Sequence, residues 1–378
     1  MTTPNPLVFS PLDSERFGLR VYRATVDRVD DRALAADIIA KQVDIAIVRT
    51  PTGGDGSLQR LGRLGMHPIH ADTLVYYEVA LPEYVPKPVR NTDLVFSEAC
   101  GADAAELHAL VAMSFEGYRS HYHANPLLDP KRILAGYSEW AAGYLGGAHP
   151  DRVTWLARKD GKLVAFACCS HDTEAKDCEG VLFGVHPEWS GSGIYGDLIR
   201  YSQARFREQQ YGVMKVSTQV WNLAVQKVWN REGFALSRAH DTFHVNACLS
   251  CGDLKVENQI VFTPAQVALF AEVTNDLNPI HLDDSAAVDA GFESRMSHGM
   301  LAGGELSRIF GTEFPGPGTL FLRSELAFLA PIYAGRTHTL RVRFSRSLSA
   351  GSYVSAVATV HDEAGKLCLL GYNDLLKR

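Results

Sequence analysis

The sequence predicts an α/β region followed by an α+β region. Three observations carry this. Period-two apolar runs alternate with helix-period segments from the start of the chain to about residue 246. Beyond residue 255, one apolar helix rich in small residues precedes several long strand-like runs, the pattern of a sheet wrapped around a helix. At 378 residues the chain is also longer than one hydrophobic core usually organises, so two or three domains are expected.

Residues 1–82 alternate LRVYRATV (strand), RALAADIIAKQ (helix), VDIAIVRT (strand), SLQRLGRLG (helix) and ADTLVYYEVAL (strand). PEYVPKPVRN has no periodicity and is rich in proline, so it reads as a connector. Residues 93–246 form the second stretch. It runs through LVFSEAC, the helical ADAAELHALVAMSF and a hairpin at TWLARKDGKLVAFACC. VLFGVHP then leads into a glycine-rich turn and a long helix, followed by VMKVSTQVW, a short helix ending at Arg231, and the strand FALSRAHDTFHV. ACLSCGD is a second connector. In the third stretch, 255–378, KVENQIVF is a strand and Thr263 caps a helix opening at Pro264. A polar loop with DLNPIH, the helix GMLAGGELSRIFG, and the strands TLFLRSELAFLAP, THTLRVRFSRSL, YVSAVATVHD and KLCLLGYNDLL complete it.

Hydrophobic residues make up 46% and charged residues 21%, an ordinary globular balance, and the net charge of −6 includes no basic block that would attract nucleic acid. The opening MTTPNPLVFSPLDSERFG lacks the pattern of a signal peptide, and no apolar run is long enough to span a bilayer. Seven cysteines in so long a chain are not a disulfide framework. Cys248 and Cys251 lack the two further ligands of a zinc site and lie in a connector, so no metal is expected. A cytoplasmic protein acting on small molecules fits these readings.

Asp276-Leu-Asn278-Pro279-Ile-His281 carries the chemistry of the last stretch, with His298-Gly299-Met300 and Pro315-Gly316-Pro317-Gly318-Thr319 downstream. Adding water across a conjugated thioester needs a group to take a proton from water, another to protonate the alpha carbon, and donors for the enolate oxygen. Asp276 and His281, on a loop stiffened by Pro279, can converge on one water, and Asn278 can brace the loop. The helix opening at Gly299 offers free N–H groups to the thioester oxygen, and glycine permits close approach. This stretch resembles the MaoC-like branch of the hotdog superfamily, the (R)-specific enoyl-CoA hydratases. Members read S/T-G-D-x-N-P-I-H where this chain has Thr274-Asn275-Asp276-Leu-Asn-Pro-Ile-His281, so only Asn275 departs. The resemblance implies a hotdog fold, Asp and His acting together on the water, a substrate lying along the central helix, and a homodimer.

Val185 through Gly196, containing Gly191, Ser192, Gly193, Ile194, Tyr195 and Gly196, stands between a strand and a helix. Three glycines before a helix make a nest of N–H groups suited to a pyrophosphate. Asn222 opens a short helix that ends in Glu232-Gly233-Phe234. Together these resemble the GNAT acyltransferases, whose motifs read V-x-P-x-x-R-G-x-G-I-G and N-x-x-A-x-x-x-Y-x-x-x-G-F. The resemblance implies a GNAT-like mixed sheet, with acyl-CoA bound at Val185, the glycine turn and Asn222. Ser190 replaces the usual Arg or Gln, Tyr195 replaces a glycine, and Trp229 replaces the Tyr that would protonate the departing thiolate.

Asp13 to Gly18, Tyr118 to His121, Asn125-Pro126 and Trp140 are similar to dTDP-fucosamine acetyltransferases, which implies an amine on a nucleotide-linked sugar as acceptor. His121 and His123 either deprotonate or hold that acceptor, or are surface histidines on a helix-loop segment. The expected function is therefore hydration of a short trans-2-enoyl-CoA joined to N-acyl transfer. The alternative is a hydratase carrying a degenerate GNAT scaffold that only binds acyl-CoA.

Overall fold

Alternating apolar residues in extended segments bury one face of a strand, and a strand buried on both faces loses the alternation. Both patterns occur in the computed structural model, which describes residues 7–54, 57–145, 149–345 and 353–377. Ten strands form the first sheet: β1 (Val8–Phe9), β2 (Val21–Thr25), β3 (Ile45–Pro51), β4 (His67–Ala80), β5 (Val95–Glu98), β6 (Arg152–Lys159), β7 (Lys162–Asp172), β8 (Asp177–Val185), β9 (Val213–Gln219) and β10 (Ala235–Asn246). Their order is β1-β2-β3-β10-β4-β9-β8-β7-β6-β5. The sheet is mixed, with β2–β3 and β8–β9 parallel. β10, the last strand of the second stretch, pairs antiparallel with both β3 and β4 and so lies between strands of the first.

The helices of this part are α1 (Pro11–Phe17), α2 (Asp31–Ala40), α3 (Ala104–Ser114), α4 (Pro130–Ala142), α5 (Ile194–Glu208) and α6 (Leu223–Arg231). Ile194, Leu198 and Phe206 of α5 pack with Trp229 of α6 against Val75, Tyr77 and Trp155. Leu107, Leu110 and Val111 of α3 pack against Leu156 and Phe166 in a separate core. Adjacent Trp155 and Leu156 thus face opposite cores, as the pleat requires. Helix α4 goes beyond the sequence expectation, although Asp129 caps it and Pro130 sits in its first turn. The SLQRLGRLG segment forms a 3-10 helix over Ser57–Leu64.

The second sheet is antiparallel: β11 (Asp253–Val261), β12 (Thr319–Phe328), β13 (Thr337–Ser345), β14 (Tyr353–His361) and β15 (Leu367–Lys377), in the order β11-β13-β14-β15-β12. The end of the expected strand THTLRVRFSRSL, residues 346–348, lies outside the described residues. With the sheet come α7 (Pro264–Thr274), α8 (Pro279–Leu282), α9 (Asp284–Asp289) and α10 (Gly299–Arg308). Ala302, Leu306, Ile309 and Phe310 press the α10 segment against Leu340, Val342, Ala358 and Leu369, so the sheet wraps a central helix in the hotdog manner. The DLNPIH segment, expected as a loop, contains the one-turn helix α8, because Asn278 caps it and Pro279 follows in its first turn.

The two sheets share a core. Leu367 and Leu370 of β15 are buried with Leu58, Leu61, Met66 and Val245 of the first part. The Tyr372 hydroxyl donates to the Ala247 carbonyl at 2.6 Å. Gly65 has a left-handed φ of 75°, and a Cβ there would lie 3.1 Å from that of Ala327. Only glycine is unstrained at this junction.

Candidate active sites

The C-terminal site starts with the end of α7. Asn275 closes that helix in the left-handed conformation, φ 57°. Asparagine tolerates this region better than other non-glycine residues, so replacing the usual glycine leaves the turn possible. The Asn278 N–H donates to an Asp276 carboxylate oxygen at 3.3 Å, and the Asn278 side chain accepts the Ile280 N–H at 3.4 Å. These bonds fix the Asp276 side chain and the entry to α8, which carries His281.

His281 Nδ1 lies 3.0 Å from the Met296 carbonyl. A carbonyl only accepts, so Nδ1 carries the proton and Nε2 keeps its lone pair. His298, fully buried, donates from Nε2 to the Asp276 carbonyl at 3.0 Å. Its ring lies against that of His281, centroids 4.0 Å apart, and against Phe270. Side-chain donor atoms of Asp276, His281 and His298 all lie within 4.8 Å of one another. This is the set among the described residues that can hold a cation. The proton on His298 Nε2 occupies the atom nearest the carboxylate and the ring's lone pair lies on the far Nδ1, so beside that carboxylate the His281 Nε2 is the open imidazole nitrogen.

These groups border a cavity of 430 Å³ lined by Phe270, Thr274, Met296, Ser297, Met300, Phe328, Ala330, Pro331 and Ile332, with Gly299 at the start of α10. A Cβ on Gly299 would lie 2.7 Å from the Phe328 ring, so a larger residue would have to displace that ring. The structure thus brings Asp276, His281, Asn278 and Gly299 together. It also adds His298, whose place in the H-G-M string gave no sign that its side chain would reach back to residue 276.

In the middle site, Gly191 and Gly193 take left-handed φ values of 78° and 89°, which turns the chain into α5 at Ile194. The connector ahead of β5 is clamped to this turn. Arg90 and Asn91 donate their backbone N–H groups to Asp197 at 2.8 and 3.0 Å, and the Asn91 side chain bonds the same carboxylate at 2.7 Å. Asp197 in turn pairs with Arg200, which also pairs with Glu232, all buried. Two cations among the described residues stand near the turn: the Lys159 ammonium lies 4.6 Å over the Trp189 ring and pairs with Asp93 at 2.7 Å, and the Arg231 guanidinium lies beside Gly196. Neither the Asp197 clamp nor Lys159 had a sequence motif to reveal it.

β8 and β9 pair in parallel only from Asp177↔Val213 to Gly180↔Val216, after which β8 runs on to Val185 and β9 to Gln219. The two strands therefore splay and open the sheet. Val185 and Asn222 stand at the lips of this opening rather than in the glycine turn. The Val185 carbonyl accepts from Ser114 Oγ at 3.2 Å, and the Asn222 side chain donates to Thr218 Oγ1 at 3.0 Å. Trp229 is buried against Tyr77, its indole N–H lacking an acceptor in hydrogen-bond geometry. The Tyr195 ring lies 6.1 Å from that of Phe183 and packs on the same core.

Of the two histidines with alternative readings, His121 is buried and not on the surface, whereas His123 is exposed. His121 Nδ1 is 2.7 Å from His244 Nε2, and the Asn125 side chain reaches His244 Nδ1 at 3.1 Å. Burial holds His121 well below the usual histidine range and His244 down to about 4. His123 Nδ1 accepts the Ser120 N–H.

A helix wrapped by an antiparallel sheet, with a carboxylate and an imidazole beside its first turn, defines a hotdog-type thioester hydratase domain. A splayed parallel pair behind a glycine turn defines a GNAT domain. Comparison with known proteins agrees on both counts. The MaoC-like domain family matches residues 252–363, and the GNAT acetyltransferase family matches residues 115–234. An (R)-specific enoyl-CoA hydratase of Rhodospirillum rubrum is 34% identical over 107 residues, 28% of this chain and 74% of that protein. One from Aeromonas caviae is 31% identical over 110 residues, 29% of this chain and 82% of that protein. A solved structure of an (R)-hydratase from A. caviae, described as involved in PHA biosynthesis, aligns at 26% identity and a TM-score of 0.32, covering 34% of this chain and 99% of its own. The chain belongs to the MaoC-like family through its C-terminal part, and it carries a GNAT acetyltransferase domain fused ahead of it.

Proposed function

We propose that the C-terminal site hydrates a short trans-2-enoyl-CoA to the (R)-3-hydroxyacyl-CoA. The carrying observation is the convergence of Asp276 and His281 on one cavity beside the start of α10. In this reading His281 Nε2 and the Asp276 carboxylate hold one water between them. As the water oxygen adds to the beta carbon, a proton passes to the pair and one is delivered to the alpha carbon. The Gly299 N–H receives the charge that builds on the thioester oxygen. The test is incubation with crotonyl-CoA, with chiral analysis of the product. An (R)-3-hydroxybutyryl-CoA product supports the reading, and unchanged crotonyl-CoA rejects it.

The protein is further read as a homodimer through β12. Among the described residues that strand pairs only with β15, and Leu320, Phe321, Leu322 and Phe328 along it are exposed. Phe328 also lines the cavity, and the Asp276 side chain is half exposed, so a partner on this edge would narrow the cavity mouth. The units of this reading are 1–82 and 93–246, interleaved through β10, and 255–378. The described cysteines are free, which fits a cytoplasmic setting.

The middle site is read as binding acyl-CoA, with the glycine turn at the pyrophosphate, and as transferring the acyl group to an amine such as that of a nucleotide-linked amino sugar. A hydratase product is a plausible donor. Fusion of the two sites would raise its local concentration, giving a 3-hydroxyacyl amide. Preference for 3-hydroxybutyryl-CoA over acetyl-CoA supports this coupling, and rejection of the hydroxylated donor refutes it. The buried Trp229 at the position of the missing acid favours a second reading, a scaffold that binds acyl-CoA without transfer.

A further inference from the structure

We propose that Trp140, Tyr137, Phe115, Tyr118 and Trp221 form the acceptor-binding wall of the opening between β8 and β9, and that this wall takes a primary amine carried by a ring with a face that can lie on an aromatic side chain. The proposal rests on reading the middle site as an acyltransferase and names the class of its acceptor.

The rings form an unbroken series. Trp140 and Tyr137 have centroids 6.4 Å apart. Tyr137 stacks on Phe115 at 4.6 Å with planes 11° apart, Phe115 meets Tyr118 edge-on at 5.4 Å, and Tyr118 meets Trp221 at 5.4 Å. The series is tied to both lips of the opening. Ser114, next to Phe115, donates to the carbonyl at the end of β8, and the Tyr118 hydroxyl donates to Gln219 at the end of β9. Trp221 follows β9 by two residues.

Phe115 is buried, as the core of a helix pair should be, but the ends of the series are not: Trp140 is 43% exposed and Trp221 50%. Trp221, two residues beyond β9, leaves half of its surface in water beside the gap, and a large aromatic face in that position is what a ring-shaped ligand requires. A ring laid on Trp221 would bring an attached amine to the opening where the thioester carbonyl is presented. The amine nitrogen forms the new C–N bond and the C–S bond breaks. The proton lost by nitrogen is matched by the one gained by the departing sulfur, leaving amide and free coenzyme thiol. The apolar C–H face of a pyranose chair and the π face of a heteroaromatic ring can both lie on an indole, and separate probes distinguish them.

The test uses the full chain with acetyl-CoA and three amines: glucosamine, tryptamine and open-chain aminopentanol. Release of free thiol gives KM for each, and calorimetry gives binding. The expected result is a KM for glucosamine or tryptamine at least tenfold below that for aminopentanol. Trp221→Ala should raise it about tenfold, leaving the KM for acetyl-CoA and the hydration of crotonyl-CoA unchanged. Trp140→Ala should act in the same direction. Equal use of aminopentanol, or no effect of either substitution, overturns the proposal. If the ring amines bind and Trp221→Ala removes that binding but no amide forms, the wall stands and the acyltransferase reading falls. Absence of both binding and transfer overturns the proposal itself.

Discussion

The two sites, read above as taking related thioesters, are built to different degrees of completeness. The C-terminal site pairs each chemical requirement with a positioned group: His281 is oriented by the Met296 carbonyl, Asp276 by Asn278 and His298, and Gly299 opens α10 beside them. The middle site keeps its geometry, the left-handed glycines and the splayed strands, while Ser190, Tyr195 and Trp229 have replaced residues that its family resemblance would use for binding and proton transfer. A backbone cradle survives side-chain replacement because its N–H groups belong to every residue. A general acid is a single side chain and does not.

The sharpest break in this comparison is at the hydratase pair. Asp276→Asn or His281→Ala should lower crotonyl-CoA hydration by about a thousandfold or more, with little change in melting temperature, since both lie on the surface of a cavity. Steady-state kinetics beside calorimetric unfolding checks it. The first sheet, in contrast, should control the acid sensitivity of the fold. His244 takes the Asn125 N–H on Nδ1 and is held neutral, with its pKa near 4 in the folded chain against 6.5 when exposed. The unfolded chain therefore binds the proton first. Stability is complete above pH 6.5 and is lost as pH falls toward 4, by about 3 kcal/mol for this group. Denaturant titrations at pH 7 and pH 4.5 measure the loss.

Two further changes probe the middle site. Trp229→Tyr restores a hydroxyl where the acid is missing and should raise acyl transfer to glucosamine by about a hundredfold, measured as thiol release. An unchanged rate would place the deficit elsewhere, at Ser190 or Tyr195. Gly193→Val puts a branched residue at φ 89°, and the strain should weaken acyl-CoA binding to this site by about tenfold while hydration continues. Calorimetry with a nonhydrolysable acyl-CoA analogue reads the first effect and the crotonyl-CoA assay the second.

Local signals made much of this legible. Thr263 before Pro264 and the glycine turn before α5 act over a few residues and stand where those signals place them, while the D-x-N-P-x-H string holds a one-turn helix in place of a plain loop. Long-range pairing was less accessible. Nothing local tells that β10 separates β3 from β4, because that order is decided by packing between distant segments. The Asp197 clamp on the proline-rich connector joins residues more than a hundred positions apart. One long-range contact does leave a local mark. The run Leu367-Cys-Leu-Leu370 does not alternate, which marks a strand covered on both faces, and its outer face is where the first part of the chain docks.

The most direct test of the account is the fate of crotonyl-CoA with the full chain, followed by mass spectrometry and chiral chromatography of the thioester. The account predicts (R)-3-hydroxybutyryl-CoA from the wild-type protein and from Gly193→Val, and almost none from Asp276→Asn. Failure of the wild-type protein to add water, or equal hydration by Asp276→Asn, would contradict it.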